Sequence, residues 1–152
     1  MPIAPLAEIR SKIGQPIGVS DWIEIPQDRI ASFADATDDH QFIHVDPEAA
    51  AGTPFGGTIA HGFLTLSLLS RMAYDVMLRP ETVRMSVNYG FDKVRFLAPV
   101  HSGRRVRGRF TLASVEEKRP GQWLFVHNVT VEIEDEDKPA LIADWIGLIF
   151  LS

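Results

Sequence analysis

The side chains best suited to chemistry are crowded into one segment, FADATDDHQFIHVDPEAA at positions 33–50. Four aspartates and two histidines lie there between two short helical patterns: Asp35, Asp38, Asp39, His40, His44 and Asp46. A carboxylate beside an imidazole is a standard means of activating water, because each group exchanges protons near neutral pH. Charged residues between helices are also often only solvated, and histidines with carboxylates can bind metals. The segment alone leaves three interpretations open: a solvated loop, a metal site and an acid–base site.

A helical pattern lies at each end of this segment. The first covers residues 26–37, where Pro26 suits a first helical turn and Ile30, Phe33 and Ala34 recur at helical spacing. The second begins at Asp46 and Pro47, a carboxylate N-cap followed by proline at the first helical position. We therefore predict a loop between two helices, and a loop of this length can direct Asp39 and His44 to one point.

A longer helical pattern and a run of strand patterns follow. The stretch TIAHGFLTLSLLSRMAYDVM at 58–77 is apolar on nearly all sides, which predicts a buried helix of roughly 20 residues spanning about 30 Å. Strand patterns occupy 18–25 before the helices and most of 83–151 after them, with a bulge near Tyr89 and Gly90. This order predicts an α+β fold, with a long central helix against a curved antiparallel β-sheet.

The length, composition and net charge of the chain exclude some classes of protein. A chain of 152 residues predicts a single domain, 1–152. The absence of cysteine excludes disulfides and a cysteine nucleophile, and it suits a reducing compartment. A net charge of −5 disfavours nucleic acid as a partner. The first ten residues do not look like a signal peptide, and Pro54 interrupts the longest uncharged stretch, so we expect a cytoplasmic protein with no membrane span.

Taken together, the motifs resemble a known family. The segment TDDHQFIHVDPEAA, the Ala60-His61-Gly62 tripeptide and the stretch VNYGFDKVRFLAPV are similar to the MaoC-like dehydratases, the (R)-specific enoyl-CoA hydratases, and look closest to the NodN-like branch. The resemblance covers roughly residues 20–150. This sequence departs from the family pattern at three positions: Asp38 replaces a common glycine, Gln41 an asparagine and Phe42 a proline.

The resemblance implies both a fold and an activity. It implies a hot-dog fold, a homodimer and acyl-CoA tunnels. Carried over by position, it makes Asp39 and His44 the catalytic pair and gives the backbone N–H of Gly62 to the thioester oxygen. Gln41 can still supply an amide to the substrate, and His61 either polarises the substrate or packs at the start of the helix. The implied reaction is reversible addition of water to a trans-2-enoyl thioester, on CoA or a carrier protein, in fatty acid metabolism. No cofactor and no metal are expected.

Other interpretations of these residues stay open. His40 with Asp39 and His44 would make a metal cluster, which the hydratase interpretation does not need. Asp38 beside Asp39 is either a second acid in the site or a bystander. A hot-dog thioesterase usually carries its acid on the central helix, which here offers none before Asp75. A non-catalytic acyl-binding subunit is the third possibility, and chain-length preference is not predicted.

Overall fold

Most of the chain forms one antiparallel sheet with short helices packed against it. The computed structural model describes all residues 1–152. Its strands are β1 Ile3–Ala4, β2 Pro16–Val19, β3 Ile23–Glu24, β4 Arg79–Pro80, β5 Val83–Phe96, β6 Arg105–Arg119, β7 Gln122–Ile133 and β8 Leu141–Leu151. Its helices are α1 Leu6–Ser11, α2 Gln27–Thr37, α3 Phe42–Val45, α4 Pro47–Ala51, α5 Gly62–Ser67 and α6 Leu69–Val76. The α+β prediction is confirmed, and no helix is long and apolar enough to cross a membrane.

The main sheet has strand order β2-β6-β7-β8-β5, with β3 paired to the beginning of β6. All its pairings are antiparallel, and a small parallel pair, β1 with β4, lies apart. A register shift between Asn88 and Gly90 confirms the predicted bulge in β5. Strand β5 pairs only with β8. The other side of this 14-residue strand is therefore an unpaired edge of the sheet.

The first predicted strand, 18–25, is divided into β2 and β3. The break lies at Ser20, whose backbone N–H donates to the Gly108 carbonyl at 2.9 Å. Its hydroxyl in turn accepts from the Gly108 N–H at 2.9 Å. A side-chain oxygen thus takes the place of a backbone acceptor where the strand departs from the ladder.

The central helix is shorter than the 20 residues predicted. It begins at Gly62 and runs through α5 and α6 to Val76, so its 15 residues span about 22 Å. Thr58–His61 is extended instead, because helix α3 and the loop before β6 take its backbone hydrogen bonds. The Ile59 N–H donates to the Ile43 carbonyl at 3.0 Å, and the Ala60 N–H donates to the Val100 carbonyl at 2.8 Å. The predicted start at residue 58 was wrong for this reason.

The helix buries one face and exposes the other. Leu64, Leu69, Met72, Ala73 and Val76 join a core built from alternate residues of β6, β7 and β8. The prediction of a helix buried on all sides was wrong, since Phe63 is 66% exposed and Tyr74 is 64% exposed. Both residues lie on the face that is not covered by the sheet.

One titratable side chain lies deep in the sheet. His127 of β7 is 2% exposed and packs edge-on against Phe110, with ring centroids 6.5 Å apart. Its side chain makes no hydrogen bond within the chain, and its Nδ1 is sealed from solvent. Burial lowers the pKa of His127 to about 4, from 6.5.

The buried His127 predicts a pH dependence of stability. Between pH 6.5 and pH 4 the unfolded chain binds a proton here that the folded chain does not, so the free energy of unfolding falls as pH drops through this window. The loss is about 3 kcal/mol by the time pH reaches 4. We expect His127→Phe to flatten the slope, measured by urea unfolding from pH 7 to pH 4. An unchanged slope in the variant contradicts the assignment.

Candidate active site

The end of α2 shapes the loop that carries the acidic residues. Asp38 caps this helix in a left-handed conformation, with φ 57° and ψ 24°, and the Asp39 N–H donates to the Ala34 carbonyl at 3.1 Å. Glycine adopts this conformation without strain and aspartate tolerates it, which accounts for the glycine common at this position in the family pattern. Asp38 is thus the C-cap of α2, and its side chain is exposed.

His44 is fixed at the other end of the loop. It lies in the one-turn helix α3 and is 7% exposed. Its Nδ1 is 2.7 Å from the carbonyl oxygen of Ile59, which can only accept, so Nδ1 carries the proton and donates. In the neutral ring Nε2 is therefore a free acceptor.

Burial is the main cause that holds the pKa of His44 below its ordinary value of 6.5. The hydrogen bond to the Ile59 carbonyl opposes this shift, positive charge on His61 adds to it, and the nearby Asp39 carboxylate opposes it. His44 is consequently neutral near pH 7 and able to accept a proton at Nε2.

Two polar residues that sequence reasoning missed hold the backbone of His44. The Gln27 side-chain amide donates to the His44 carbonyl at 2.7 Å, and the Thr58 hydroxyl donates to Gln27 Oε1 at 2.6 Å. These residues lie in α2 and in the extended segment before α5, 31 positions apart. No sequence pattern links them, because only the fold brings these two segments together.

His61 lies directly behind His44. The two imidazoles stack with centroids 3.8 Å apart and an interplanar angle of 24°. His61 Nε2 donates to the Asp39 backbone carbonyl at 3.0 Å, and Phe33 packs on the ring at 4.9 Å. The ring is 2% exposed and its Nδ1 has no partner. His61 thus joins the two ends of the acidic loop to the start of the central helix.

Asp39 lies at the open side of this cluster. Its side chain is exposed, and its Oδ1 accepts from the Gln41 N–H at 3.4 Å. One ligating atom from each of Asp39, His44 and His61 lies within 4.8 Å of the others. The side-chain amide of the exposed Gln41 makes no hydrogen bond and is free to meet a ligand.

This cluster suits proton transfer better than metal binding. A metal ion lies in the plane of each imidazole that binds it, and the stacked rings of His44 and His61 have nearly parallel planes. Two of their four ring nitrogens are also engaged by backbone carbonyls. His40 points elsewhere, to the Asp35 carboxylate at 2.8 Å. The absence of a metal from the working site stays a prediction.

Gly62 begins α5 beside the same site. As the first residue of the helix it has no intrahelical acceptor, and its N–H makes no hydrogen bond within the chain. A Cβ at this position would lie 2.9 Å from the Phe96 ring, so glycine permits a close approach. His44 and Gly62 both line a mostly apolar cavity of about 440 Å³ bounded by Phe63, Phe96 and Leu97.

The predicted cap at Asp46 is confirmed. Its carboxylate accepts from the Ala49 N–H at 3.0 Å at the start of α4. This hydrogen bond fixes the end of the loop that begins at Asp38. The loop is therefore capped at both ends, with His44 between the caps.

The environment of His44 predicts its titration. We expect the imidazole of His44 to titrate below 6.5 in NMR spectra recorded against pH, because burial disfavours its charged form. A His44→Gln variant identifies the resonance. His61→Phe keeps a stacked ring but removes the neighbouring charge, and we expect it to raise the pKa of His44. Titration of His44 at or above 6.5 contradicts the geometry.

Comparison with known proteins places this chain in a family. The family model described as a MaoC like domain matches residues 8–135. Nodulation protein N of Rhizobium meliloti (strain 1021) is 55% identical over 144 residues, which cover 94% of this chain and 89% of that protein. The 3-hydroxyacyl-thioester dehydratase Z of Mycobacterium tuberculosis (strain ATCC 25618 / H37Rv) is 48% identical over 141 residues, 93% of each chain.

Solved structures agree on the fold. A MaoC-like dehydratase from Rhodospirillum rubrum superimposes with a TM-score of 0.78 and 18% identity, over 98% of both chains. The expected hot-dog fold and the resemblance to the NodN-like branch are confirmed. The chain belongs to the MaoC-like family of dehydratases and hydratases.

Proposed function

We propose that this protein is a hydratase and dehydratase that adds water reversibly to a trans-2-enoyl thioester, giving an (R)-3-hydroxyacyl thioester. One observation carries the proposal. His44, whose Nε2 is free, and Gly62, whose N–H is unpaired, both line one apolar cavity, and a carboxylate oxygen of Asp39 lies within 4.8 Å of a ring nitrogen of His44. The dehydratase activity in the name of a relative that is 48% identical supports the same reaction.

The start of the central helix stabilises charge on the substrate, and the acidic loop transfers protons. The Gly62 N–H donates to the thioester carbonyl oxygen, where negative charge develops as water attacks. The helix dipole adds to this stabilisation, and one such donor contributes about 3 kcal/mol. The apolar cavity beside Gly62 takes the acyl chain.

Asp39 and His44 hold the attacking water over C3 of the substrate. The water loses a proton to the pair as its oxygen bonds to C3, and C2 receives a proton from the pair on the same face. His44 Nε2 suits the first transfer, because its Nδ1 proton is held by the Ile59 carbonyl. Acid–base positioning of this kind contributes roughly 10²–10⁴-fold in rate.

His61 and Gln41 support this pair in different ways. Gln41 lies next to Asp39 with a free amide, and we propose that it contacts the thioester substrate. His61 is buried and does not line the cavity, so we propose that it acts on substrate through His44, by stacking on that ring and holding the Asp39 carbonyl.

A thioesterase is the second candidate, and the position of the acids disfavours it. Asp75 is the one acid on the central helix, near its far end. Its carboxylate is engaged by Arg71 at 2.6 Å and by the Asp21 N–H at 3.2 Å. A non-catalytic acyl-binding subunit would need neither the free Nε2 of His44 nor the free N–H of Gly62.

We also propose that the protein is a homodimer that pairs two β5 strands. Strand β5 leaves one edge unpaired, and an exposed edge of this length favours association. It exposes Met85, Val87, Tyr89 and Phe91, and such a patch marks an interaction surface. Antiparallel pairing of identical strands satisfies two-fold symmetry. A cytoplasmic location and a place in fatty acid metabolism complete the proposal.

The proposed activity is tested with trans-2-enoyl-CoA substrates. We expect crotonyl-CoA or a longer homologue to lose its conjugated absorbance band without release of thiol. Asp39→Asn and His44→Ala each lower kcat/KM by at least about 100-fold, because either change removes one member of the proton-transfer pair. Asp38→Asn is the matched control, since it changes the adjacent carboxylate only at an exposed helix cap.

The outcomes separate the three functions. Loss of the band that depends on Asp39 and His44 supports the hydratase. Thiol release in a parallel cuvette identifies a thioesterase. Binding of enoyl-CoA without change at any chain length identifies an acyl-binding subunit.

The proposed dimer is tested by charge on β5. We expect the unmodified protein to sediment as a dimer, and Val87→Glu with Tyr89→Lys to shift it to monomer, because both positions would be buried by strand pairing. Lys118→Glu, on an exposed position of β6, is the control. A monomer for the unmodified chain contradicts the proposal.

A further inference from the structure

The cavity beside the acidic loop has two polar side chains among its lining residues, His44 and Thr65. The other lining residues are apolar or glycine. The hydratase reaction as proposed uses His44 and the N–H of Gly62, and it gives Thr65 no part. Thr65 lies in α5, three positions after Gly62, and is 2% exposed. A buried hydroxyl in an apolar cavity needs a hydrogen-bond partner, because leaving it unpaired costs stability.

The helix that carries Thr65 does not supply this partner. Hydroxyl groups within helices commonly donate to a backbone carbonyl of the preceding turn. Four helical residues of this chain do so: Ser11, Ser32, Thr37 and Ser67. The hydroxyl of Ser70 makes no such bond, but that residue is exposed to water. Thr65 is therefore the one helical hydroxyl that is both buried and unpaired within the chain.

The Thr65 oxygen opens to the cavity and lies near the start of the helix. The side-chain atoms that are sealed from solvent without a partner are all ring nitrogens, of His61, His127 and Trp145, so the Thr65 oxygen is not among them. Side chains of an α-helix lean toward its N-terminus, over the residue three or four positions earlier. The Thr65 hydroxyl consequently leans toward Gly62, whose N–H is also unpaired.

These two groups are donors in a cavity whose other amides are occupied. The backbone N–H groups of Ala60, Leu97 and Ala140, which line the same cavity, all donate to carbonyl oxygens of the chain. The free Nε2 of His44 accepts and does not donate. An oxygen that gains negative charge during a reaction is stabilised by several donors that are already in place. The Gly62 N–H and the Thr65 hydroxyl together match that requirement.

We propose that Thr65 is a catalytic residue, the second donor to the thioester carbonyl oxygen. Its hydroxyl donates to this oxygen beside the Gly62 N–H, and the hydrogen bond strengthens as negative charge develops during attack of water on C3. The proposal rests on the proposed hydratase function and adds to it a side chain that can be changed by mutation, which a backbone N–H cannot.

The kinetic test removes the hydroxyl and keeps the shape of the side chain. We expect Thr65→Val to lower kcat and kcat/KM for crotonyl-CoA equally, by about 100-fold, as for a donor that acts in the transition state. Thr65→Ser keeps the donor and should restore most of the activity. The melting temperature of Thr65→Val should not fall, because the lost hydroxyl has no partner in the chain. Thr130→Val, in β7 and outside the cavity, is the matched control.

The spectroscopic test reads the hydrogen bond without turnover. Crotonyl-CoA, isotope-labelled at the thioester carbonyl, is bound to the Asp39→Asn protein, and its carbonyl stretching band is recorded by infrared difference spectroscopy. Hydrogen bonds lower this frequency, so we expect Thr65→Val in the same background to raise it and Thr65→Ser to leave it low.

The outcomes separate this proposal from the hydratase itself. Hydration by the unmodified protein with a loss under about threefold in Thr65→Val, or with a carbonyl band that does not respond to Thr65, overturns the role of Thr65 and leaves the hydratase standing. A band that responds to Thr65 without any turnover supports the hydrogen bond and refutes the hydratase. Failure of crotonyl-CoA to bind overturns both.

Discussion

The site depends on a reciprocal contact between the acidic loop and the segment before the central helix. His44 Nδ1 donates to the Ile59 carbonyl at 2.7 Å, and the Ile59 N–H donates to the Ile43 carbonyl at 3.0 Å. These bonds fix the tautomer of His44, the orientation of its ring and the distance of the loop from Gly62. Without them the acid–base pair and the free N–H would belong to two independent segments.

The contacts between the acidic loop and the segment before the central helix are polar, and most of their hydrogen-bonding groups are paired within the chain. Gln27 and Thr58 complete one hydrogen-bonded chain, and His61 completes another to Asp39. The Gly62 N–H stays free beside the cavity, the buried His61 Nδ1 has no partner, and the Gln41 amide is exposed. A buried group left unpaired costs stability, and such costs are typical of positions that bind or react.

The fold as a whole also has a packed apolar face and an exposed apolar face. The helix face toward the sheet is closely packed, whereas Phe63, Tyr74 and the apolar residues of β5 are exposed together. Burial on the sheet side supplies the stability of the subunit. Exposure on the other side leaves an edge strand and an aromatic surface, which is the property on which the proposed dimer rests.

The sequence by itself predicted the α+β class, the helix at 26–37 and the Asp46 cap, because each depends on residues close together in the chain. It also identified Asp39 and His44 as a candidate pair, because both lie in one short motif. The non-helical path of residues 58–61, the roles of Gln27 and Thr58 and the stacking of His61 on His44 were decided by tertiary structure alone. Apolar periodicity cannot show that the backbone N–H groups of Ile59 and Ala60 donate to Ile43 and Val100. A hydrogen bond across 31 positions likewise forms only once the fold brings Thr58 to helix α2.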